Sequence, residues 1–259
     1  MFKIIEVKNN SATAKIALQG AHLFHYQRTG ETPLLWLSES SDFEKGKAIR
    51  GGVPICWPSF GNNNPDLPQH GFARTSIFEH LQTKEIDANT TQVTLKLCEY
   101  KLELEVKITI GNTLEILLTT TNKDTKTFKL TQALHTYFNI SYISNIKIRG
   151  LDAKPYLDAL KNKIFIQNSY ITFEKEIDRV YQEVDSRIEL VDIDRTISIE
   201  NEGSLSVVVW NPWIDKCKRM SGMSDEAYKE FVCIESANAY DDFKLLKPNQ
   251  KYRLKAIIC

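Results

Sequence analysis

Across residues 101–110 every even position is apolar (Leu102, Leu104, Val106, Ile108, Ile110), and charged residues fill most of the odd ones. Successive side chains of an extended strand point to opposite faces, so a period of two marks a strand with one face buried. Val93, Leu95 and Leu97 continue the pattern just upstream, and similar runs occur at residues 146–148, 188–193, 196–199, 205–210 and 252–258. Asn201, Glu202, Gly203 and Ser204 separate two of these runs and predict a hairpin loop. Asn122, Lys123 and Asp124 predict another turn. Helical periodicity is scarce. The best case is residues 224–231, where Ser224 can cap, Asp225 and Glu226 suit the positive helix end, and Ala227, Tyr228 and Phe231 share a side. Residues 40–71 are poor in strand signal and rich in Gly, Pro, Asn and Ser, yet Trp57, Phe60 and Phe72 argue against disorder. Long segments of this kind in a compact domain are usually functional. No linker or repeat divides the chain. The expectation is one all-β domain over residues 1–259, a large antiparallel β-sandwich with few short helices and functional loops on one face.

Charge narrows the partners. Lys plus Arg and Asp plus Glu both number 33, so the formal net charge is zero. This argues against general affinity for nucleic acid or an anionic membrane, but leaves room for a local basic pocket. The five cysteines are irregularly spaced without a C-x-x-C pair, which predicts free thiols in a reducing compartment and no structural zinc. Residues 1–8 contain no long apolar stretch, and no apolar run approaches bilayer length. A cytoplasmic, soluble monomer is expected.

The chemistry concentrates in residues 50–61 (RGGVPICWPSFG) and 69–74 (QHGFAR). Within 25 residues stand Arg50, Trp57, Gln69, His70 and Arg74. Such a set suits a sugar phosphate: fixed cations for the phosphate, polar forks for hydroxyls and an aromatic surface for the ring. Arg presents planar donors matched to phosphate oxygens and keeps its charge. Gly51 and Gly52 after Arg50 would allow close backbone approach to a ligand. Lys47 could add charge. Gln69 offers both donor and acceptor, as a hydroxyl requires.

Further along, His135 shares a strand parity with Thr131, Ala133 and Tyr137, opposite an apolar parity of Phe128, Leu130, Leu134 and Phe138. Such a histidine is either a packed, hydrogen-bonded residue or a general acid/base. Glu235 closes a run that is apolar on both parities, implying burial on both faces. A carboxyl there is either bonded to backbone past a strand end, or a base strengthened by desolvation. By itself the pair Asp178–Arg179 reads as a solvated charge cluster. Trp210 and Trp213 could cover a pyranose face or pack in the core.

Taken together these residues resemble the aldose 1-epimerase (mutarotase) superfamily, in its hexose-6-phosphate branch. The resemblance runs along nearly the whole chain: Gly20-Ala21-His22, Arg50-Gly51-Gly52-Val53-Pro54, Gln69-His70-Gly71-Phe72-Ala73-Arg74, His135-Thr136-Tyr137-Phe138, Asp178-Arg179-Val180-Tyr181, Trp210-Asn211-Pro212-Trp213 and Cys233-Ile234-Glu235. It implies a galactose mutarotase-like supersandwich with a cleft on its concave side. It also implies His135 and Glu235 as the catalytic acid/base pair, with Arg50, Gln69, His70, Arg74 and Asp178 binding substrate. The implied reaction interconverts α and β anomers of a hexose 6-phosphate, such as glucose 6-phosphate, by ring opening and closure. Glu235 would take the C1 hydroxyl proton and His135 would protonate the ring oxygen, with no cofactor or metal. The competing readings are a mutarotase of unphosphorylated aldoses, a glycoside hydrolase using Asp178 and Glu235, and a non-catalytic carbohydrate-binding protein.

Overall fold

The computed structural model describes every residue except 1, 2, 42, 63 and 186. Among the described residues two eight-stranded sheets dominate, with a three-stranded sheet and a two-stranded ribbon beside them. None of the described helices is long and apolar enough to cross a membrane.

One large sheet contains the strands whose alternation is plainest. Glu79–Asp87, Thr90–Glu99, Leu102–Ile110, Leu114–Asn122, Lys251–Ile258, Thr196–Glu202, Ile188–Val191 and Lys147–Arg149 lie side by side in that order. In Leu102–Ile110 the even positions are buried and the odd ones partly exposed. Antiparallel register continues the buried face, pairing Val106 with Leu118 and Leu118 with Leu254. Each fully buried aliphatic side chain of this kind stabilises by about 1.5–3 kcal/mol, so this face supplies much of the core.

The other large sheet runs Lys163–Ile166, Pro155–Asp158, Ile177–Tyr181, Ser206–Asn211, Phe231–Asn238, Gln132–Leu134 and Ile55–Cys56, with Tyr137–Asn139 also paired to Phe231–Asn238. One face (Leu134, Phe138, Val207, Val209, Val232, Ile234) joins the same core as Leu104 and Val106. The opposite face carries a smaller cluster, in which Cys56, Ala133, Val180, Val208 and Ala237 meet Phe60 from the long loop. The centre of this sheet is therefore covered on both sides, and every residue of Phe231–Asn238 is buried. Double coverage explains why that run is apolar on both parities.

Two expectations are corrected. Residues 201–204 do not close a hairpin. Asn201 pairs with Ala256 in the first sheet, while Ser206 pairs with Ala237 in the second, so the turn carries the chain between layers. Residues 224–231 do not form a two-turn helix. Only a 3₁₀ turn at Ala227–Lys229 forms, because Phe231 already begins the central strand. An α-helix stands instead at Trp213–Arg219, starting after Pro212 and ending on Lys216, Lys218 and Arg219. Both are recognised helix-end signals.

Candidate active site

Strand register assembles the floor of the site. Asp178 lies opposite Trp210, Trp210 opposite Cys233, and Cys233 opposite Tyr137. In the next row Val180 faces Val208 and Val208 faces Glu235. Directly paired residues share a sheet face, so Asp178, Trp210, Tyr137 and Glu235 all emerge on one face, opposite that of Val209 and Ile234. Glu235 is within the central strand rather than past its end. His135 is in a two-residue break between Gln132–Leu134 and Tyr137–Asn139, both of which pair with that strand. Its amide donates to the Pro54 carbonyl at 3.0 Å. Its ring stacks on Tyr137, with centroids 4.9 Å apart, and meets the edge of Trp210 at 5.7 Å.

The long loop forms the walls. The Arg50 amide donates to Ser41 Oγ (2.8 Å) and its Nε to the Ser221 carbonyl (3.2 Å). Gly51 and Gly52 serve a purpose other than ligand approach. Both have positive φ, and a Cβ on either would lie 2.5 Å from a backbone oxygen, that of Trp36 or Leu23 respectively. They let the loop press against the protein's own main chain and so fix Arg50. His70 Nδ1 accepts from the Gly61 amide at 3.3 Å, which leaves Nε2 as its N–H donor. Arg74 sits in a 3₁₀ turn, Ala73–Thr75, and its Nη2 donates to the Gln69 carbonyl at 2.8 Å.

Arg50, Gln69, His70, Arg74, His135, Asp178 and Glu235 all line one cavity of about 330 Å³, a size suited to a small molecule. Trp210, Tyr137, Lys216 and Met220 also line it. Lys216 and Met220 are absent from the sequence reading, although Pro212 and the basic run at 216–219 mark the short helix that delivers Lys216. The tryptophans divide: Trp210 lines the cavity, whereas Trp57 is wholly buried and donates to Thr120 Oγ1 at 2.9 Å, and Trp213 packs on Tyr228. Asp178 and Arg179 are not one solvated cluster. Strand alternation sends Asp178 to the cavity and Arg179 to the other face, where it bonds Gln167 and covers the Tyr156 ring.

Burial governs the electrostatics. His135 Nε2 and Glu235 Oε1 are 3.3 Å apart, and the Glu235 side chain is 2% exposed. Neither His135 Nδ1 nor Glu235 Oε2 has a hydrogen-bond partner among the described residues. Desolvation, reinforced by Asp178, pushes the Glu235 carboxyl well up. Desolvation, reinforced by His70, Arg74 and Arg50, pushes His135 well down. Burial and Arg74 lower His70 to about 4. Asp178 is raised by burial against the opposing pull of Lys216, whose Nζ is 3.8 Å away and 2.8 Å from Glu176. Paired groups whose environments move their pKa values this far are the usual material of acid/base catalysis.

Residues 3–259 match the family model described as aldose 1-epimerase. The chain belongs to the aldose 1-epimerase family. This family protein is 36% identical to a Salmonella typhimurium protein provisionally named glucose-6-phosphate 1-epimerase, over 91% of the chain and 83% of the relative. A Cenchrus ciliaris protein with the same provisional name is 33% identical, over 97% of the chain and 82% of the relative. A crystal structure from Salmonella typhimurium, titled as a provisional mutarotase, superimposes with a TM-score of 0.91 at 34% identity, covering 99% of this chain and 89% of the other. The fold also matches a galactose mutarotase-like protein from Lactobacillus casei, with a TM-score of 0.76 at 15% identity and 99% coverage of both chains. The family protein is thus an all-β isomerase with a mutarotase-like sandwich.

Proposed function

We propose that the protein interconverts the α and β anomers of a hexose 6-phosphate, with glucose 6-phosphate as the best candidate. The observation that carries this reading is the convergence of a buried His135–Glu235 pair with Arg50 and Arg74 on one cavity. Arg50 and Arg74 hold the phosphate, while Gln69, His70 and Asp178 bind hydroxyls. Glu235 takes the C1 hydroxyl proton, His135 protonates the ring oxygen, and the ring opens to the aldehyde. Rotation about C1–C2 presents the other carbonyl face, and closure reverses both transfers.

Desolvation favours the neutral form of both groups, so the resting pair shares one proton. The acid form of His135 and the carboxylate of Glu235 contain that same proton, moved across 3.3 Å. Arg74 and Arg50 oppose a charged imidazole. A bound phosphate offsets their charge and so favours the acid form of His135 when substrate is present. The same logic disfavours a neutral aldose as the main substrate.

Residues 1–259 are read as one catalytic domain, since both large sheets feed one apolar core. The five unpaired cysteines support a reducing, cytoplasmic setting, and the protein is read as a monomer. Anomer-exchange NMR on glucose 6-phosphate and glucose tests the substrate assignment. Arg74→Ala should weaken turnover of glucose 6-phosphate by about 10-fold to 100-fold, as expected for a lost charge-assisted contact of about 1.5–3 kcal/mol, and leave glucose turnover nearly unchanged. Equal losses on both sugars would remove the phosphate role.

A further inference from the structure

His22 lies outside the cavity and takes no part in the chemistry above, yet it is completely buried. Its Nε2 is 2.8 Å from the Gly51 carbonyl oxygen. A carbonyl only accepts, so Nε2 carries the proton and donates. The other ring nitrogen, Nδ1, is buried with no hydrogen-bond partner among the described residues. The imidazole is thus committed to a single bond, made to the Gly51–Gly52 peptide, the second one after Arg50.

The surrounding main chain shows what that bond controls. The Arg50 carbonyl accepts from the Ser38 amide at 3.0 Å, and the Gly52 amide donates to the Trp36 carbonyl at 2.7 Å. The Gly52 carbonyl accepts from the Tyr137 amide at 2.9 Å, and the Tyr137 ring stacks on His135. Residues 50–52 therefore join the cavity wall to the strand beside His135. Main-chain groups supply these three bonds, whereas the Gly51 carbonyl is held by a side chain. Gly52 is close enough to His22 that a Cβ there would meet Nε2 at 2.8 Å. The Gly51–Gly52 peptide, set between two positive-φ glycines, has little intrinsic preference of its own, so its tilt is set by two outside partners, the Trp36 carbonyl at its amide and His22 at its carbonyl.

We propose that His22 is a positioning residue for substrate phosphate: by holding the Gly51 carbonyl it fixes the direction from which Arg50 enters the cavity. The proposal rests on the reading of Arg50 as a phosphate ligand. It differs from a purely structural role because the effect of His22 must pass through Arg50.

A double-mutant cycle tests it. His22→Leu removes the donor, His22→Gln keeps an amide donor at comparable reach, and each is made with Arg50 intact and with Arg50→Ala. Losing the donor to a buried carbonyl should raise KM for glucose 6-phosphate about tenfold, with kcat held within about twofold. His22→Gln should restore most of the lost affinity. With Arg50→Ala in place, His22→Leu should change KM no further, since two residues acting through one contact are not additive. Full additivity in the cycle, or a fall in kcat at unchanged KM, overturns the proposal. If His22→Leu does not fold, His22→Asn replaces it, its shorter amide falling short of Gly51, and the same outcomes apply. Calorimetric binding of inorganic phosphate separates the two layers. If the wild-type protein fails to anomerise glucose 6-phosphate, the functional reading falls. A tenfold weaker phosphate Kd in His22→Leu alone would still support the positioning role, and an unchanged Kd would refute it.

Discussion

The two eight-stranded sheets use the same strand geometry for different ends. In the sheet built around Leu102–Ile110 one face is buried and the other is partly open, with ion pairs such as Lys107–Glu105 and Lys96–Glu103 on the outside. In the sheet built around Phe231–Asn238 the central strands are covered on both faces. The first arrangement gives stability with an inert exterior. The second places carboxyl and imidazole groups on a dehydrated floor under loops, where the loss of water moves their proton affinities by more than surface neighbours could. The proposed site sits on the sheet whose second face is closed, where polar side chains such as Glu235 lose their solvent.

The comparison breaks if the two sheets respond alike to substitution. The largest expected effect is on the site floor. Glu235→Gln or His135→Asn should lower kcat by about 10²–10⁴-fold, with the melting temperature close to that of the parent, read by anomer-exchange NMR and calorimetry. A sharp loss of stability with activity kept in the folded fraction would reverse the assignment of roles. On the other sheet, Leu104→Ala should cost about 2–5 kcal/mol in denaturant unfolding through transfer and cavity terms, while folded molecules keep their kcat.

Acid should sharpen the contrast between buried and solvated groups. His22 is buried and its pKa is lowered to about 4. Between about pH 6.5 and 4 the unfolded chain therefore binds a proton that the folded chain refuses, so stability falls as pH drops through that window. The contribution is up to about 1.4 kcal/mol per pH unit, and His22→Gln should flatten the slope by that amount. The smallest effect belongs to the outer face of the first sheet. Lys107→Gln breaks a 3.2 Å pair with Glu105 whose side chains are 38% and 35% exposed, and it should shift stability by no more than about 0.5 kcal/mol.

Legibility in the sequence followed the same division. The single-faced sheet was readable because alternation is a local signal: Leu102–Ile110 shows its buried parity without reference to any other strand. The double-faced sheet was less so. Its strands are short, Gln132–Leu134 and Tyr137–Asn139 being three residues each, and burial on both sides erases alternation. Burial logic leaves Glu235 open between a carboxyl past a strand end and a desolvated base, and only the family resemblance points to the second. Asp178 looked like part of a solvated cluster because adjacent charges in a strand separate only once its two faces have different neighbours. The error at residues 201–204 has the same origin, since turn residues specify a reversal but not which sheet the next strand joins.

Composition and residue order determined that this chain is all-β, that Arg50 in its long polar loop and Arg74 just after it suit an anion, and that its motifs are those of the aldose 1-epimerase family. Tertiary structure alone brought His135 within 3.3 Å of Glu235, turned Gly51 and Gly52 against the protein's own backbone, and left His22 in a position to hold the Gly51–Gly52 peptide. Side-chain type and spacing are properties of neighbours in the chain. Desolvation, register and the meeting of residues a hundred positions apart exist only once the layers have closed.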